Sequence, residues 1–256
     1  MTWTKSAARA ILPGFLFERI RAARWRRTVY RLQKEQGLLQ AAAGYLEKNG
    51  ATVRFGPFAG MAYPRRAALR RHSIPLLLGT YEQEVHPVIE KAAKRRYDLV
   101  IDIGCSDGYY AVGLARLLGT KVLAYDPEPM ERVLSEEMAR ENGVSDLVEL
   151  HALFRPSDVK KFGNRRVLCI CDCEGFEEQI FTAETIADTA RWDLLIELHG
   201  AAAEKVPALP WSQKTTQIPS RPRTGTYKEL EGLGDGNALL SEYRDPQTWL
   251  WCDSEA

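Results

Sequence analysis

The chain has 256 residues, 45% of them apolar and 27% charged, with a formal net charge of +1. That composition belongs to a globular protein with a sizeable core and excludes a disordered or low-complexity chain; no apolar run reaches the roughly 18–20 residues of a membrane-spanning helix. The near-neutral total conceals a division: residues 1–75 hold 15 Lys and Arg against 3 Asp and Glu, and the remainder holds 20 against 31.

Residues 10–17 are apolar but contain Pro13-Gly14 and lead into no small-residue cleavage pattern, so no signal peptide is expected. Residues 15–48 read as one or two helices. Leu16, Ile20 and Ala23 share a stripe, six arginines between 19 and 31 crowd the remaining surface, Gly37 interrupts, and Leu38, Leu39, Ala42 and Leu46 resume the pattern up to Asn49-Gly50. The plainest reading packs this arm on the main domain by its apolar face. An anionic membrane surface is the next reading, and nucleic acid the last. The expected location is cytoplasmic, with the arm able to meet the inner face of a membrane.

Residues 52–55 predict a short strand, 56–61 a compact loop, and 65–71 a second basic cluster. A helix is predicted over 81–96. From residue 98 strands and helices alternate: strand 98–103, helix 108–118, strand 121–125, helix 128–142, strand 147–150, strand 167–171, helix 175–189, strand 193–198. This rhythm predicts an α/β fold with a mostly parallel, helix-covered sheet. Residues 201–226 read as loop, and 238–243 with 248–252 as an antiparallel hairpin on the sheet edge. The expected division is a basic, partly helical extension over 1–75 and one α/β domain over 76–256. Cys105, Cys169, Cys171, Cys173 and Cys252 form an odd set. Three of them alternate in one strand, where residues at i and i+2 lie roughly 6–7 Å apart, so they are read as reduced and buried rather than as a zinc site.

Strand 98–103 ends in Asp102, and Gly104-Cys105-Ser106-Asp107-Gly108 turns into a helix. Such a turn lets backbone N–H groups approach a nucleotide-like ligand at a helix N-terminus. A dinucleotide fingerprint from Gly104 requires glycine at 106 and 109, and Ser106 and Tyr109 stand there instead, which excludes a pyrophosphate cradle of that kind. Asp126 ends the second strand, where an acid accepts hydrogen bonds from ribose hydroxyls; its other reading is a turn-shaping Asp before Pro127.

The turn followed by a strand-end acid resembles the class I S-adenosylmethionine-dependent methyltransferases. Asp172-Cys173-Glu174-Gly175-Phe176-Glu177, together with Leu195-Ile196-Glu197-Leu198-His199 and Gly79-Thr80-Tyr81-Glu82, resembles the FkbM-type family among them. The likeness covers residues 76–200, and Ser106-Asp107 departs from the Asn-containing turn common in that family. It implies a Rossmann-like, doubly wound sheet of seven strands with an antiparallel C-terminal hairpin, S-adenosyl-L-methionine as cofactor, and methyl transfer to oxygen on a small molecule or glycan.

Under that reading Asp102, Gly104, Ser106, Gly108 and Asp126 hold the cofactor, with Tyr81 and Glu82 at its amino-acid end. Asp172, Glu174, Glu197 and His199 stand at C-terminal strand ends, where α/β sheets place ligands. His199 or Glu174 is the expected base, and Asp172 is expected near the cofactor's methyl or amino group. The plainer alternative has Asp172 and Glu174 capping a helix and Glu197 pairing with an arginine. A divalent metal on the same groups, orienting a diol, is weighed but not adopted. His72, His86 and His151 are read as surface or loop histidines. Two rivals differ in class: a nucleic-acid methyltransferase using the basic arm, for which the Asn/Asp-Pro-Pro-aromatic motif is missing, and a non-catalytic membrane or partner module.

Overall fold

The computed structural model describes residues 37–69, 73–242 and 246–255. Seven strands form one sheet: β1 (Leu99–Ile103), β2 (Val122–Tyr125), β3 (Val148–His151), β4 (Val167–Cys171), β5 (Trp192–Leu198), β6 (Lys214–Pro219) and β7 (Thr248–Asp253). Their order is β3-β2-β1-β4-β5-β7-β6. The first five are parallel, and β7 runs antiparallel to both β5 and β6. The expected Rossmann-like, doubly wound α/β architecture is therefore present.

β1, β4 and β5 are buried along their whole length, as continuous apolar runs in a two-sided sheet require. Alternation along them feeds two cores. On one face Val100, Leu168, Ile170 and Leu195 meet α1 (Leu38–Asn49), α2 (Ser73–Leu78), α3 (His86–Ala92), α4 (Tyr109–Leu118) and α5 (Pro129–Glu141). On the other Ile101, Cys169, Leu194 and Ile196 meet α6 (Glu177–Ile180), α7 (Ala183–Ile186) and α8 (Ala202–Lys205). Tyr45 and Leu46 of α1 are buried in the first core, so this part of the arm packs by its apolar face. Of residues 15–48, on which the membrane reading rests, 15–36 lie outside the described residues, as does His72. Among the described residues no helix is long and apolar enough to cross a membrane.

Several predicted elements are corrected. The strand over 52–55 reduces to one bridge, Thr52 to Ala62. The helix over 81–96 is a 3-10 turn, Gln83–Val85, followed by α3, whose start is set by Pro87 in its first turn. The helix over 175–189 breaks at Phe181-Thr182: Phe181 is extended and Thr182 caps α7 with a capping box. The hairpin partner of β7 is β6, within the stretch read as loop, while the described part of the predicted strand over 238–243, residues 238–242, contains no strand; Asp235 instead caps α9 (Gly236–Leu240). β6 is exposed along nearly its whole length, which removes the apolar alternation that marks a strand. All five cysteines are free, and all but Cys173 are buried. Cys173 lies past the end of β4, its Sγ 3.7 Å from that of Cys171.

Candidate active site

The strand order reverses between β1 and β4, and a cleft opens at the carboxyl ends of these strands. It is lined by Tyr81, Asp102, Gly104, Ser106, Glu131 and Asp172, among others. Of the residues expected to hold a cofactor, Tyr81, Asp102, Gly104 and Ser106 line this cleft, while Gly108, Asp126 and Glu82 are not among its lining residues.

The β1–α4 turn closes on its neighbours without clearance. Gly104 has φ +87, and a Cβ there would stand 1.7 Å from the carbonyl oxygen of Asp172. Its N–H donates to Tyr125 O at 2.8 Å. At Gly108, φ +96, a Cβ would meet Ser135 Oγ of α5 at 2.6 Å. Glycine at these two positions brings the cleft floor, the start of α4 and the end of β4 into contact.

Asp126 has the contacts of its turn-shaping reading. Its Oδ2 accepts the Ser106 N–H at 3.0 Å and its Oδ1 accepts the Glu128 N–H at 2.8 Å, so the carboxylate shapes the turn. A carboxylate has about four acceptor sites, which leaves capacity for ribose hydroxyls. Burial raises its pKa, and the two backbone N–H bonds oppose that. Asp102 is 2% exposed, and its Oδ2 has no hydrogen-bond partner among the described residues. Burial, with Asp172 and Asp126 nearby, pushes its pKa up to about 8, so it is mostly a neutral acid at pH 7. It can then donate as well as accept.

Tyr81 and Glu82 sit on the loop before α3. The Glu82 side chain is fully buried: Tyr110 donates its hydroxyl to it, and the Glu82 N–H donates to Glu242 Oε1 at 2.9 Å. Arg223 in turn grips Glu242 and Glu84, each at 2.6 Å. A buried ion network thus ties the 220–242 segment to the cleft wall, a linkage between distant residues with no local sequence signal.

The four candidate catalytic residues come together, and a fifth joins them. His199 Nε2 lies 3.5 Å from Glu197 Oε2, 3.8 Å from Asp172 Oδ1 and 4.0 Å from Glu174 Oε2. On its other side His199 Nδ1 donates to Glu177 Oε1 at 3.0 Å. Glu177 is fully buried and also accepts the N–H groups of Cys173 and Gly175. Its role was not read from sequence, although it closes the Asp-x-Glu-Gly-x-Glu signature; its partner His199 lies 22 residues further on, just past the end of β5. Burial disfavours the imidazolium, yet Glu177, Asp172 and Glu174 outweigh it and lift the His199 pKa to about 9. Asp172 is pushed up to about 6, by burial first, with His199 acting against it.

The only non-glycine residues with positive φ among the described residues are Glu82, Ser106 and Glu174. All three are candidate site residues. Such conformations cost of order 1–3 kcal/mol each and concentrate where function overrides local preference.

No family model matches the sequence, and no curated protein matches it, so the likeness to the FkbM-type family rests on the motifs quoted above. Solved structures with a related chain path include precorrin 8w decarboxylase from Methanobacterium thermoautotrophicum (18% identity, 66% of this chain and 89% of that one, TM-score 0.45). Others are an rRNA methylase from Streptococcus thermophilus (16%, 66% and 96%, TM-score 0.45) and a SAM-dependent methyltransferase from Geobacter sulfurreducens in complex with S-adenosyl-L-homocysteine (20%, 45% and 47%, TM-score 0.33).

Proposed function

We propose that this chain is an S-adenosylmethionine-dependent methyltransferase acting on a hydroxyl oxygen of a small molecule or glycan. One observation carries the reading: the β1–α4 turn and Asp172, one member of the acid–histidine cluster, line one cleft, joined where Gly104 abuts Asp172. The residues present fit the cofactor. Gly104 and Gly108 let the turn close on Asp172 and Ser135, where a Cβ would collide, and Asp102, which lines the cleft, holds an unpartnered buried oxygen. Asp126 would take the ribose, and Tyr81 and Asp102 the amino-acid end. When bound, the cofactor supplies an electrophilic methyl on a sulfonium.

The protein's part is to align the acceptor oxygen, exclude water and take up the hydroxyl proton. At neutral pH His199 already carries its proton, so the base is assigned to Glu174. Its side chain is 75% exposed and stands at the outer side of the cluster, where an acceptor arrives. His199 then holds the carboxylates in register as their counter-charge.

Calorimetry with S-adenosylmethionine tests the cofactor. The wild-type chain is expected to bind, and Asp126→Ala to weaken binding about 100-fold, from the loss of charge-assisted hydrogen bonds. No heat with the wild type would remove the reading. The base is tested once an acceptor is found by labelled-methyl transfer into cell extract. Glu174→Gln is expected to slow transfer by about 100-fold with cofactor affinity unchanged, and an unaltered rate would rule Glu174 out.

A further inference from the structure

We propose that Asp172, Glu197 and His199 bind a divalent cation of the magnesium or manganese kind, with Glu177 as the outer carboxylate that orients His199. Three observations carry this. First, His199 Nε2 faces carboxylate oxygens at 3.5 and 3.8 Å, and donor atoms of Asp172 and Glu197 lie within 4.8 Å of each other. These separations exceed a hydrogen bond but need only a modest contraction around an ion with ligand distances of roughly 2.0–2.2 Å.

Second, the far side of the ring is bonded to a fully buried carboxylate, Glu177 Oε1, at 3.0 Å. A histidine whose Nδ1–H is held by a carboxylate while Nε2 faces further acids is the arrangement that orients a metal ligand, and the ion takes the place of the Nε2 proton that His199 carries without it. Third, Asp172 Oδ1 is a buried oxygen with no hydrogen-bond partner among the described residues. A buried carboxylate oxygen left without a donor is costly, and a cation satisfies it. The donor set of two carboxylates and one imidazole suits a hard or borderline ion, and the thiols of Cys171 and Cys173 are not part of it.

Three protein ligands leave positions of an octahedral ion open, which suits an acceptor presenting two neighbouring oxygens, such as a vicinal diol. That role rests on the methyl-transfer reading; the cation site does not. Metal-stripped full-length chain should be titrated with Mn²⁺, read by the loss of the free-ion electron paramagnetic resonance signal. About one ion per chain is expected in the wild type. Asp172→Asn and His199→Gln should each weaken binding at least 10-fold, and Glu177→Gln about 10-fold through the ring it orients. A thermal melt of each variant confirms that it is folded. Asp126→Ala, which disables the cofactor site, should bind Mn²⁺ like the wild type, so the two proposals fail separately. No stoichiometric Mn²⁺ in the wild type, or equal binding in folded Asp172→Asn and His199→Gln, overturns the assignment.

Discussion

Gly104→Ala is expected to cost the protein about 4 kcal/mol or more and to abolish cofactor binding. Two penalties combine. The residue has φ +87, a left-handed conformation that charges a side-chain-bearing residue roughly 1–2 kcal/mol. The larger penalty is steric: the new methyl would stand 1.7 Å from the Asp172 carbonyl oxygen and 2.7 Å from its carbon. Both are main-chain atoms, held by the Asp172 N–H bond to Ile103 O at 2.9 Å, so no rotamer change relieves the contact. β1 and β4 must part at the cleft floor. Gly119 supplies the control, since it has φ +61 but nothing within 4 Å of its Cβ position. Gly119→Ala should cost only the conformational penalty and leave cofactor binding intact. Urea melts and calorimetry on the two variants read the difference; equal losses would show that the crowding at Gly104 is not what shapes the cleft.

Arg95→Ala is expected to lower stability by about 3–5 kcal/mol without touching cofactor affinity. Arg95 is 9% exposed and binds Asp193 at 2.7 Å, Asp253 at 2.8 Å and Glu255 at 3.0 Å. Asp193 also accepts from the Tyr97 hydroxyl at 2.6 Å and from Ser254 N–H at 2.8 Å. The network joins the start of β5 to the end of β7, at the sheet edge opposite the cleft. Removing the guanidinium leaves the buried Asp193 carboxylate without an ionic partner among the described residues, while Asp253 keeps Lys91, and that uncompensated charge dominates the loss. For a chain of this size the shift in melting temperature is about 10 °C. A melting temperature within about 2 °C of wild type would show that the Arg95 network does not hold the fold together.

The parallel core was legible because each of its strands is an apolar run set between helical segments. That pattern has one physical cause, burial on both faces. It fails where burial fails. Lys214–Pro219 pairs fully with β7 yet is almost wholly exposed, so its sequence carries no inward face to recognise. The run at 238–240 misled for the opposite reason: three apolar residues fit a buried strand or a helical turn equally, and the Asp235 cap decides for helix. In the site, Asp102, Asp126, Asp172 and His199 were legible from their positions at strand ends. Glu177 and Arg223 were not, because their partners lie across the fold. That the pKa of His199 is raised follows from the convergence of several carboxylates on one ring, which is a property of the assembled site.

The placement of β7 between β5 and β6 also orders the assembly of the chain during synthesis. β6 leaves the ribosome before β7, but its hydrogen-bonding partner in the finished sheet is β7 alone. Until β7 arrives, the free side of β5 offers open N–H and C=O groups over an apolar strand, and β6 has nothing to pair with. A nascent chain halted between residues 219 and 248 therefore exposes the surface most prone to sticking to another copy. The last strand to be made completes the sheet by insertion, so protection against aggregation arrives late and in one step.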